Sequence, residues 1–179
     1  MSNAAIRTII RAKFLLIGRE SASRSIIHIR NKYLKIAESI SLKDSLLSVT
    51  VPPMVGVDPE MREWSFFQIL EHNAIVNRII FRNVQKLALG EDPAPDHPVD
   101  PKTDVLPRGI SGPEQVAAFR ESVDEYVAMV AMLPSLRGTA ETPHPVFGAF
   151  DAHKWHCMFG FHLGLHLKQA EKVLSLLPS

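Results

Sequence analysis

Apolar residues recur at steps of three and four through most of this chain, and the places where that rhythm stops divide it into helical stretches. Ile6, Ile9, Ile10, Phe14 and Ile17 open the pattern, and Ile26, Ile29, Tyr33, Ile36, Ala37 and Ile40 continue it. The spacing predicts one long or broken helix over about 4–46, with Gly18 and the serines at 21, 23 and 25 as the candidate break. Pro52, Pro53 and Pro59 mark a loop. A second helix, 65–89, carries Ile69, His72, Ile75, Val76, Ile79, Ile80 and Leu87 on one stripe. Its start is signed by Ser65 and Gln68 as a capping box and by Trp64 with Ile69 as a hydrophobic staple.

Residues 90–110 hold five prolines and no helical period, which predicts a long irregular connection. A third helix, 111–133, has Val116, Phe119, Val123, Tyr126 or Val127, and Val130 on its apolar side, with Ser111 and Glu114 spaced as another capping box. Glu121, Asp124 and Glu125 read as its solvated face. After a loop over 136–149, Asp151 is placed to cap a last helix, 151–177, and Phe150 and Trp155 to staple it. The last stripe is Trp155, Met158, Phe159, His162, Leu165, His166, Ala170 and Val173. No stretch alternates in the manner of a strand. The pattern predicts an all-α chain, a single-domain four-helix bundle over 1–179.

Composition adds little to this except in its charge. The net charge of +1 conceals a basic start: residues 1–40 carry eight Lys or Arg against two acids, and the remainder is acidic. A solvated basic helix face is the simplest reading of that start. A surface for anionic partners and a transit peptide are the alternatives. No run approaches the roughly 18–20 apolar residues of a membrane span. No zinc-finger spacing, RNP-type motif or Arg–aromatic interleaving suggests nucleic acid. Cys157 is the single cysteine, so an internal disulfide is impossible and a cytoplasmic location is expected. In an apolar helix it reads first as a small core residue.

The candidate chemistry lies in the histidines. His162 and His166 are four apart, which puts both imidazoles on one helix face. His72 occupies a core position on another helix. Each buried imidazole has two nitrogens to satisfy, and a single metal ion takes one nitrogen from each of the three at once. Hydrogen-bonded core histidines without a metal are the competing reading. Three protein ligands would leave a coordination position open, which is the catalytic arrangement. Gln169 is spaced to orient His166, and Glu71 reads as a surface residue before a base. His153 and His156 fall off the stripe and read as rim groups. His97, His144 and His28 read as loop or helix-surface residues without identifiable partners.

The Trp64-Ser65 helix opening with Glu71-His72, and PHPVFGAFDAHKW leading into FHLGLHLKQ, resemble the DinB/YfiT-like superfamily of metal-binding four-helix bundles over roughly residues 45–175. The resemblance implies a divalent ion, nickel or zinc, held by His72, His162 and His166. It also implies a small-molecule substrate, a thiol-transferase or hydrolase activity with a low-molecular-weight thiol as possible co-substrate, and a homodimer. A non-catalytic bundle serving in binding or structure is the alternative. The basic N-terminus and the proline-rich connection depart from the family pattern.

Overall fold

A computed structural model describes residues 3–93, 100 and 103–178 of the chain, with side chains from residue 7 onward. His97 lies outside the described residues. The chain is mostly helical, as its periodicity predicts. The helices are α1 (Asn3–Leu16), α2 (Arg19–Ser39), α3 (Leu42–Leu46), α4 (Phe66–Ala88), α5 (Glu114–Met132) and α6 (Ala152–Leu176). A short antiparallel hairpin, β1 (Thr142–His144) and β2 (Gly148–Phe150), precedes α6. The bundle is made by α2, α4, α5 and α6. Helix α4 packs on both α5 and α6, α2 packs on α6 and α5, and α1 lies along α6.

The stretch expected as one helix over 4–46 is three. The breaks fall at Ile17-Gly18 and Ile40-Ser41, and the serines at 21, 23 and 25 lie inside α2. The first break is fixed by tertiary contacts. Arg137 Nη2 donates to the carbonyls of Leu15 and Ile17, both at 3.0 Å, so the end of α1 is capped from across the molecule. Arg19 does the same for α5, donating to Leu133 O at 2.8 Å and to Val130 O. At the second break Ser41 caps α3 by accepting from Asp44 N at 3.1 Å.

Helices α4 and α6 begin where their caps predict. Ser65 Oγ accepts from Gln68 N while Gln68 Oε1 accepts from Ser65 N, closing the capping box. Asp151 Oδ1 accepts from Lys154 N at 2.8 Å, and the Phe150 ring meets Trp155 edge-on at 5.7 Å. The capping box expected at Ser111 and Glu114 does not form. Ser111 turns its hydroxyl to Glu71 Oε2 at 2.6 Å, and Glu114 accepts from Gly112 N. Helix α5 therefore starts at Glu114 behind Pro113 without a side-chain cap.

The core runs the length of the bundle, with Ile26, Tyr33, Phe66, Ile69, Phe119, Tyr126, Phe159 and Leu163 all essentially buried. Tyr126 stacks on Phe159 at 3.8 Å between ring centroids. Helices α2 and α6 approach closely at Gly160, where a Cβ would lie 3.1 Å from Ile26 Cγ1. A polar line also crosses this core. Asn73 donates to Tyr33 Oη and Ile69 O, and Tyr33 donates to Leu163 O at 3.1 Å. Asn77 donates to Ser122 Oγ at 2.9 Å. These bonds tie α4 to α2 and α5 at one register, so the faces of α4 and α6 that carry the histidines meet in one relative position. The acidic residues Glu121, Asp124 and Glu125 are exposed as expected, with Asp124 paired to Arg30.

Candidate metal centre

The middle of α6 and the second turn of α4 converge on three imidazoles. His72 Nε2 stands 3.2 Å from His162 Nε2 and 3.1 Å from His166 Nε2, and all three ligand atoms lie within 4.8 Å of one another. Two ligand nitrogens on a tetrahedral ion at about 2.0–2.1 Å are separated by about 3.3–3.4 Å, so the spacing is that of a shared ion.

The outer nitrogens decide what the inner ones present. His72 Nδ1 is 2.7 Å from the carbonyl of Val105, which only accepts, so Nδ1 carries the proton. His166 Nδ1 is 2.7 Å from Gln169 Oε1, and the Gln169 amide is oriented by its own donation to Met61 O at 2.7 Å. Nδ1 of His166 therefore also carries the proton. Both Nε2 atoms are then bare lone pairs 3.1 Å apart, which cannot hydrogen-bond to each other. Something electropositive must lie between them, and His162 supplies either its proton or a third lone pair. The residues present fit a divalent cation.

Electrostatics keep the three rings ready to ligate. Burial, with the neighbouring His166 acting in the same sense, holds His72 down to about 3. Burial pushes His166 to about 4, against the opposing hydrogen bond from Gln169. His162 is held well below the usual histidine value by burial first, and then by His166, His72 and His144. All three are neutral at pH 7, the form a metal takes without displacing a proton. The Trp64 ring lies over His72 at 5.0 Å and over His166 at 6.4 Å, covering one side of the cluster. His72 and His166 are buried, whereas His162 keeps part of its surface in solvent. Among the described residues no carboxylate or thiolate joins the three.

Gln169 sits where its spacing predicts, holding His166 from outside. Gln169→Ala is expected to weaken metal affinity about 10–100-fold with the helix intact. Chelator competition on the purified variant measures this, and an affinity equal to wild type would contradict the role. Glu71 faces elsewhere. Its carboxylate accepts from Arg108 N at 3.0 Å and from Ser111 Oγ, pinning the connection that brings Val105 O to His72. It also lines a groove with Arg78, Arg82 and Arg108 that contains none of the three histidines.

His153 and His156 are not rim groups. Both are buried where α1 and the start of α2 cross α6. His153 Nε2 donates to Phe14 O at 3.1 Å. His156 accepts from Tyr126 Oη at Nδ1, 2.8 Å, and bonds Arg19 O at Nε2, 3.1 Å. Cys157 is a buried core residue beside them, and burial pushes its thiol up to about 12, so it is no thiolate. His28 is exposed. His144 is half-buried in the hairpin. The Val105 and Met61 carbonyls and the Trp64 cover were not anticipated. The first two are backbone groups and leave no trace in residue type, while the position of Trp64 marks a helix start and a family motif but not a cover for the histidines.

The sequence model described as the DinB superfamily matches residues 28–170, most of the chain and all of this centre. No curated protein and no solved structure matches it.

Proposed function

Because the chain belongs to the DinB superfamily, we propose that it is a divalent-metal-dependent enzyme, a thiol transferase or hydrolase acting on a small electrophile. The observation that carries this reading is the convergence of His72, His162 and His166 on one point, with the Nε2 lone pairs of His72 and His166 facing each other. Nickel or zinc held there would supply the positive charge that acidifies a thiol or water at the remaining position.

The chain's own groups do the rest. Val105 O and Gln169 Oε1 fix the tautomers of His72 and His166, so neither ring must reorganise on loading. Burial keeps the rings neutral and the surroundings poorly solvated, which strengthens electrostatic effects inside. Trp64 covers one side of the cluster, so substrate would approach from the side of His162, the least buried of the three residues.

The test is turnover by reconstituted protein. Nickel- or zinc-loaded chain is incubated with small electrophiles, with and without glutathione or another low-molecular-weight thiol, and loss of free thiol or release of acid is followed. The expected result is a rate that requires the metal and disappears in His162→Ala. Equal rates for loaded, stripped and variant protein would favour a bundle that is stiffened by its metal and performs no reaction.

A further inference from the structure

His144 closes β1, at the turn that leads to Gly148, and its ring is more constrained than a turn requires. Its Nδ1 accepts from Val146 N at 3.0 Å and from Phe147 N at 3.3 Å. With Nδ1 occupied as an acceptor, the proton of the neutral ring resides on Nε2. Burial pushes His144 down to about 4, so the neutral form prevails at pH 7. The ring plane is set by Phe147, Phe150 and Trp155, at 5.1, 5.2 and 5.0 Å between centroids. The hairpin itself is held by Arg11, which donates to Phe147 O at 2.6 Å and Ala149 O at 3.0 Å. Among the described residues Nε2 has no hydrogen-bond partner. A histidine with a fixed tautomer, a fixed plane and a spare N–H is a preorganised donor.

Its place gives that donor a use. Trp155 is two turns before His162 on α6, and Phe147 meets Phe161, the residue beside His162, at 6.3 Å. The hairpin therefore lies along the stretch of α6 that leads to His162. We propose that His144 is a substrate-positioning residue, donating from Nε2 to an anionic or carbonyl oxygen of a molecule bound on the His162 side of the histidine centre. Donation needs no change in its protonation. The substrate class it selects is a small electrophile bearing a carboxylate, enolate or carbonyl oxygen. This inference rests on the metal-centre reading above.

The bland role for His144 is to shape the turn through Nδ1 alone, and two substitutions separate the two. In His144→Asn the amide oxygen can still accept from the turn N–H groups, but the Nε2 donor is lost. In His144→Gln the amide nitrogen reaches toward the Nε2 position, but the turn acceptor is lost. The probe is azide titrated into the cobalt(II)-loaded full chain, followed by visible absorption, since azide bound end-on presents a free acceptor nitrogen. The expected result is about tenfold weaker azide binding in His144→Asn and wild-type cobalt content. His144→Gln should remain within about threefold of wild type. Equal azide affinity in wild type and His144→Asn would overturn the inference and leave the metal centre standing. Gln weakening binding as much as Asn would assign His144 to the turn alone. Failure of the wild-type chain to take up cobalt would overturn both, whereas cobalt uptake without an azide response would overturn the inference and leave the metal centre standing.

Discussion

His162→Ala is expected to lower metal affinity by at least about a hundredfold while leaving the metal-free fold within about 1 kcal/mol of wild type. The asymmetry comes from what each ligand leaves behind. His72 and His166 hold Val105 O and Gln169 Oε1, so removing either ring orphans a buried acceptor as well as a ligand. His162 has no partner at its buried Nδ1, so no acceptor elsewhere depends on its ring. Its removal takes away a ligand and little else. An ion present at about a hundredfold over its Kd stabilises the wild-type fold by about 2.7 kcal/mol, a Tm rise of about 5–10 °C for a chain of this size. Thermal unfolding with and without added zinc or nickel reads both effects. Wild type should shift and His162→Ala should not, from nearly the same metal-free Tm. An equal shift in both would place the ion elsewhere.

The second large effect is acid lability at a different place. His156 is locked between Tyr126 Oη and Arg19 O, and burial pushes it down to about 4. An unfolded histidine titrates near 6.5, so between about 4 and 6.5 the unfolded chain binds a proton that the folded chain refuses. Stability from this group is therefore complete above about 6.5 and is lost as pH falls toward 4. For His156 alone the loss between pH 7 and pH 5 is roughly 2 kcal/mol. His144 and His166 are shifted in the same direction and add to it. Urea unfolding of chelator-treated protein at the two pH values tests the point. The fall in stability should be smaller by roughly 2 kcal/mol in His156→Gln than in wild type. Parallel pH profiles would contradict it.

What the sequence made legible follows from local chemistry. The starts of α4 and α6 were readable because Ser65, Gln68 and Asp151 satisfy N–H groups of their own helices. His72, His162 and His166 could be grouped because each broke an apolar stripe at a position the bundle must bury. The fold departs from the local pattern where distant partners decide. The break at Ile17-Gly18 depends on Arg137, about 120 positions away, and the lost box at Ser111 depends on Glu71. Strands of three residues carry no periodic signal, and the hairpin is held by Arg11 and a cluster of aromatic rings. His153 and His156 fall outside the one apolar face that periodicity shows for α6, so spacing alone places them at the rim. In the fold α1 and the start of α2 cover another, and the histidines bond the carbonyls of Phe14 and Arg19 there.

The most direct test of the centre is the metal in the protein itself. Full-length chain, purified without added metal and without a histidine tag, would be analysed for first-row metals per chain and by X-ray absorption at the edge of whichever is found. The expected result is about one equivalent, with three imidazole nitrogens at about 2.0–2.1 Å. A chain that carries no metal and takes up neither zinc nor nickel would contradict the centre, leaving the lone pairs of His72 and His166 to be bridged by the proton of His162 alone.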